Sequence, residues 1–317
     1  MVRYFAQRIA TAIPIMVGVS LVTFALLHMV PGGPVVAMLG LAASNPAAVA
    51  AVTKELGLDR PIWDQYAIWL KRALSGDFGM STEFHVSVTS LIGPKLAHTL
   101  LLTAGSLVYA IILGVLLGIL SAIYHRSLFD RAAMLITLIG ASAPVFWIGL
   151  LLSYLFAIRL GWFPAMGMTS ITGDASPTIV LRHLFLPAFA NSIISIAVIA
   201  RIVRSQMLEA LVQPYVLAGR ARGLSWTRQV LVHAFRNVLP DAINITALQV
   251  GFLFGGALFV EVVFAWPGVG YLIFSSIQAR DYVTLQASVL VVSAVFVLVN
   301  LAADMARIAL DPLERAA

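Results

Sequence analysis

The sequence predicts an all-α, polytopic membrane protein with six transmembrane helices, and three observations predict it. Hydrophobic residues fill 61% of the 317 positions and charged residues only 11%. Mean hydropathy is +0.97, whereas the apolar share of a soluble domain is about 45–50%. Six windows, 9–53, 96–125, 132–158, 183–200, 242–260 and 282–303, contain no Asp, Glu, Lys or Arg. Each holds the roughly 20 apolar residues that a helix needs to cross a bilayer. In lipid every backbone amide needs an internal partner, which an α-helix supplies. Third, the arginines are sided, as counted below.

The elements follow in order. The apolar run from Ile9 to Val30 is too long for a signal-peptide core, and MVPGGP at 29–34 is not a small-x-small cleavage pattern. Residues 1–30 are therefore expected to stay as an N-terminal transmembrane helix. Segment 31–95 is expected outside the membrane. Within it, PIWDQYAIWLKRAL places Ile62, Tyr66, Trp69 and Ala73 at helical spacing behind Pro61. Trp63, Tyr66 and Trp69 suit the headgroup region, where aromatic rings are enriched. The other five spans lie in 96–306, and 307–317 form a tail. GASAP at 140–144 ends in proline where a nucleophile elbow needs glycine, so it reads as a helix start.

Sidedness comes from arginine. The amino-terminal side carries Arg3, Arg8, Arg126, Arg131, Arg201, Arg204, Arg220, Arg222, Arg228, Arg236, Arg307 and Arg315. The opposite short loops carry Arg159, Arg182 and Arg280. Basic residues in short loops mark the cytoplasmic face, and the long 31–95 segment does not count. Both termini are expected in the cytoplasm. This sidedness explains the basic balance without nucleic acid as a partner.

Several activities are excluded by residue type. With no cysteine, disulfides, thiolate nucleophiles and Cys-based metal sites are absent. None of Lys54, Lys71 and Lys95 follows a glycine, so there is no phosphate-binding loop. No two of the six histidines stand four apart, and no HExxH zinc helix exists. No cofactor and no metal are expected in this chain. Ion-driven carriers keep ionisable groups inside their spans, and the six windows have none. A self-sufficient carrier or channel is the alternative reading, an intramembrane hydrolase a weaker one still. Small and polar span residues, Ser106, Ser142, Ser153, Asn191, Ser195, Asn244 and Gln249, are the candidates for lining a path.

The segment 204–240 is the substantial cytoplasmic loop, and its pattern is helix, break, helix. Gln213-Pro214 opens one element, Gly223 permits a reversal at positive φ, and Leu224–Leu239 is amphipathic. Val230, Leu231, Ala234, Phe235 and Val238 fall on one face, with Arg228, Gln229, His233, Arg236 and Asn237 on the other. Pro240 is expected to end it. Taken alone, such a helix could also lie on anionic membrane lipid.

This segment resembles the coupling (EAA) loop of ABC-importer permeases of the dipeptide/oligopeptide/nickel transport family. The likeness rests on Tyr215, Ala221, Arg222, Gly223, Leu224 and Ser225, then on His233, Ala234, Phe235, Arg236 and Asn237. The opening RYFAQRIATAIPIMVGVSLVTFALLHMVPGGP, the ELGLDRPIWDQYAIWL and SGDFGMS segments, and EVVFAWPGVGYLIFSSIQARDYV are similar to the same family. Gly33 stands where an aspartate is usual, Leu217 where the wider loop pattern has glutamate, and Val283 where proline is frequent. The resemblance implies a type I ABC-importer transmembrane fold in a bacterial cytoplasmic membrane. It implies that Ala218, Gly219, Arg220, Ala221, Arg222, Gly223, Leu224 and Ser225 dock in a groove on a cytosolic ATPase. The partners so implied are a homologous second permease, two ATPases that bind ATP and Mg, and an external solute-binding protein.

Overall fold

The computed structural model describes residues 2–29, 35, 44–55, 57–170 and 173–310; Gly33 lies outside them. The elements are helices: α1 (Val2–His28), α2 (Pro46–Glu55), α3 (Ile62–Leu74), α4 (Val88–Ile123), α5 (Leu128–Ser142) and α6 (Val145–Leu152, continued by a π-helical turn Ser153–Arg159). Then come α7 (Pro177–Leu211), α8 (Pro214–Ala221), α9, α10 (Val269–Ala279) and α11 (Tyr282–Leu310). Here α9 denotes Trp226–Val263, which is α-helical except for a π-helical stretch at Gln229–Ala234. A single bridge, Met80 to Ser87, is the only strand-like pairing among the described residues.

Five helices are long and apolar enough to cross a membrane: Ala10–His28, Val88–Ile123, Pro177–Leu211, Trp226–Val263 and Tyr282–Ala306. The expected span at 132–158 is different. It is two helices, α5 and α6 with its π turn, bent by 112°. The cause is local. Pro144 disfavours helical backbone in the residue before it, and Ala143 and Pro144 are both extended, with ψ of 141° and 136°. Counting the bent pair as one span gives six.

Two compact units divide the chain, and each is built from segments distant in sequence. The first comprises 100–266 and 299–310. Its core joins Ala110 and Ile119 of α4, Ile196, Ile199, Val203 and Met207 of α7, and Val230, Ala234, Val238 and Leu253 of α9. Gly114 and Gly118, four apart on α4, allow α7 to come close, since small residues at helix interfaces let backbones approach in membranes. A Cβ at Gly118 would stand 2.7 Å from the Val203 Cβ and 2.9 Å from the Ala200 carbonyl oxygen. One at Gly114 would stand 2.9 Å from Ile199.

Some polar groups in this core pair across helices, while Asn191 Oδ1, Asn244 Oδ1 and Ser121 Oγ are buried without a hydrogen-bond partner among the described residues. The Asn191 amide donates to Ser106 Oγ and to the Leu253 carbonyl, each at 3.0 Å, and Ser195 Oγ donates to Gln249 Oε1 at 2.9 Å. All four side chains are buried. Of the seven path candidates, these four are buried and hydrogen-bonded between helices of the unit; Ser142 is exposed and bonds its own helix at Leu138. The sequence alone could not separate path lining from helix packing, because both require small or polar residues in spans.

The second unit comprises 2–99 and 267–298. Here α3 leans on α1: Phe24 meets the Tyr66 ring edge-on at 5.4 Å and Trp69 at 5.7 Å, and the Ser20 and Tyr66 hydroxyls are 2.7 Å apart. Tyr66 and Trp69 are thus protein-facing, while Trp63 is 75% exposed. Asp281, fully buried, accepts hydrogen bonds from Ser81 Oγ, from Thr284 Oγ1 at 2.6 Å and from Thr284 N–H at 3.1 Å. Val88 and Ile92 pack with Leu272, Val283 and Ala287 beside it. The SGDFGMS and ARDYV stretches, far apart in sequence, meet at this one carboxylate.

Candidate coupling surface

The turn at residues 219–224 is set by backbone bonding. Gln213 is extended and Pro214 opens α8 at its first helical position, where a missing N–H costs nothing. At the other end Gly223 has φ +79°. Its N–H donates to the Arg220 carbonyl at 3.0 Å, and Leu224 N–H donates to the Gly219 carbonyl at 3.2 Å. This pair of bonds is a Schellman motif, in which glycine takes the left-handed position after the helix. Leu224 folds back close over Gly219: a Cβ at 219 would lie 3.2 Å from Leu224 Cδ1, tighter than ordinary contact. Glycine at 219 makes room for Leu224, and glycine at 223 makes the reversal.

Beyond the turn Ser225 is extended and α9 begins. The Gln229 side-chain amide donates to the Leu224 carbonyl at 2.7 Å, and Gln229 N–H to the Ser225 carbonyl at 3.0 Å. Leu224 is thus held at its N–H, its carbonyl and its side chain. Val216 on α8 is buried with Val230, Ala234 and Val238 on α9 and with Met207 on α7, which fixes the hairpin to the core.

Of the residues expected at the site, Ala218, Arg220, Ala221, Arg222, Gly223 and Ser225 are exposed, Leu224 is half-buried and Gly219 is buried. Among the described residues the Arg220, Arg222 and Arg228 guanidiniums take no hydrogen bond or ion pair. Beside them Tyr215, Leu217, Trp226 and Leu231 are 42–51% exposed. The turn carries cations and apolar side chains outward, with no partner for the Arg220, Arg222 and Arg228 guanidiniums among the described residues.

Two sequence expectations are corrected here. Gln229, placed on the outer face, is buried as the brace of Leu224, and Leu231, placed on the inner face, is half exposed. The π-helical stretch Gln229–Ala234 is the reason, because i→i+5 bonds put an extra residue in the turn and rotate the faces. Pro240 does not end the element either; the helix continues through it to Val263. Membrane helices tolerate proline where neighbours and local π adjustments meet the freed backbone groups.

No group of three or more His, Asp or Glu that could hold a metal occurs among the described residues.

Comparison with known proteins gives the family. Residues 114–315 match the family described as binding-protein-dependent transport system inner membrane component, and residues 1–99 match the N-terminal part of such components. A dipeptide transport system permease protein of Alkalihalophilus pseudofirmus is 38% identical, covering 98% of this chain and 99% of its own length. That of Escherichia coli (strain K12) is 35% identical with 96% of each covered. A glutathione transport system permease protein of Escherichia coli O1:K1 is 36% identical with 98% of each covered. The chain belongs to the inner-membrane components of binding-protein-dependent transport systems, the multi-pass permease subunits of ABC importers with the type I transmembrane fold.

Proposed function

We propose that this permease carries peptides inward by alternating access, driven by two ATPases docked on the 213–228 hairpin. The peptide reading is supported by the dipeptide and glutathione permeases to which nearly the whole chain is similar. The assembly would pair the chain with a homologous second permease and receive solute from an external binding protein. ATP and Mg belong to the ATPases, since no lysine here follows a glycine to cradle phosphates. The chain's own part is mechanical: a ligand-linked change needs differential contacts in its two states, and the ATPase pair would supply them at the hairpin. Both termini and the hairpin would face the cytoplasm, and segment 31–95 the outside.

The observation that carries the docking reading is the turn at Gly223. It is held by three hydrogen bonds, exposed at its tip, and flanked by Arg220, Arg222 and Arg228, whose guanidiniums are unpaired among the described residues. Gly223→Val should strain it, because a β-branched residue at positive φ is unfavourable. The expected outcome is a complex that inserts and hydrolyses ATP but no longer couples hydrolysis to uptake in proteoliposomes. With no native cysteine, a single cysteine at Ser225 should cross-link to an ATPase groove cysteine, and one at Leu58 should not. Normal uptake by Gly223→Val, with no Ser225 cross-link at any groove position, would dismiss the docking reading.

A further inference from the structure

A second cationic surface lies at the turn between α4 and α5, in the first unit and outside the hairpin. Asp130 is buried there and held by Arg204 of α7 through two bonds, Nε to Oδ1 at 2.6 Å and Nη2 to Oδ2 at 2.8 Å. The same carboxylate accepts from the Arg126 N–H at 2.9 Å, and His125 Nδ1 lies 3.5 Å from it. Ser127 caps α5 by accepting from the Asp130 N–H at 3.2 Å. The acid is therefore fully engaged by Arg204 and the backbone.

This leaves Arg126 and Arg131 in surplus. Both side chains are exposed, and among the described residues neither guanidinium takes a hydrogen bond or ion pair. Around them the turn is apolar. Tyr124 and Phe129 meet edge-on at 6.0 Å and stay half exposed, and Leu128 is 84% exposed. Exposed cations beside exposed aromatic and aliphatic side chains suit a bilayer surface, where phosphates lie above the acyl chains and aromatic rings sit between.

We propose that this turn binds an anionic phospholipid, with its headgroup phosphate on Arg126 and Arg131 and its upper acyl region against Tyr124, Leu128 and Phe129. The Arg204–Asp130 pair serves the site by keeping the Asp130 carboxylate neutralised, so that it does not repel the phosphate. Each arginine near an anionic surface favours binding about fivefold. Such binding should weaken as salt rises.

The test uses the full chain in nanodiscs of phosphatidylcholine doped with phosphatidylglycerol on both faces, so that the result does not depend on orientation. Native mass spectrometry reads the phosphatidylglycerol retained relative to phosphatidylcholine. Wild type should show enrichment, Arg126→Gln/Arg131→Gln should lose it by roughly twenty-five-fold, and Arg126→Lys/Arg131→Lys should keep most of it. Lys71→Gln, an exposed cation elsewhere, should leave it unchanged, which separates this site from general positive charge. Unaltered enrichment in the double Gln variant overturns the proposal. So does unaltered enrichment joined to weaker ATPase association, which would assign the turn to the ATPase interface instead.

Discussion

Asp281 shows how much a single residue can organise. Burial by itself raises the pKa of this carboxyl, but hydrogen bonds from Ser81, from the Thr284 hydroxyl and from the backbone N–H groups of Thr284 and Thr82 outweigh it and hold the pKa below the usual 3.8. A carboxyl lowered on folding contributes stability above its unfolded pKa, and that contribution is lost as pH falls through the folded value. Asp281→Asn should therefore lower thermal stability in detergent, by about 1–3 kcal/mol for buried donors left poorly matched. The gap in melting temperature between wild type and variant should be constant from pH 5 to 8 and shrink only below about pH 4. A gap that instead widened in acid would contradict the assignment. Sequence reading placed Asp281 in a motif but gave it no role, because its partner Ser81 stands 200 positions away.

Among the elements, α4 and α7 are joined through glycine. On α4 the Gly118 position has no room for a Cβ, while Gly93 has nothing within 4 Å. Gly118→Val should thus destabilise by overpacking, about 1–3 kcal/mol or more, and Gly93→Ala on the same helix should be mild. Thermal unfolding of the two purified variants checks this; equal losses would point to helix propensity rather than to packing. Helix existence was legible because charge-free runs of bilayer length admit little else. The break at Ala143–Pro144 was visible as a proline, but its 112° bend depends on packing that no local pattern encodes. The hairpin was legible in Pro214 and Gly223. The phase of Gln229 and Leu231 was not, because a π turn carries no signature in hydrophobic periodicity.

For the whole molecule the prediction is topological. Reporter fusions after Leu58, Ser170 and Gln278 should read as external, and fusions after Arg126 and Ser225 as cytoplasmic, following the arginine asymmetry. A cytoplasmic signal at Leu58 would reverse the placement of segment 31–95 and remove the geometric basis for a solute-binding partner there.

The composition of the second unit bears on how the chain is made. It joins residues 2–99 to 267–298, and Ser81 finds its carboxylate partner only at Asp281. A nascent chain emerging at about 5–20 residues per second must insert most of its spans before that partner is synthesised. The stretch around Ser81 waits through this interval without its native contact. Truncated translation products ending before residue 281 should accordingly be cut by protease near Ser81, and full-length chains should be protected there. The second unit is thus expected to complete its fold only once the chain has been made past Asp281.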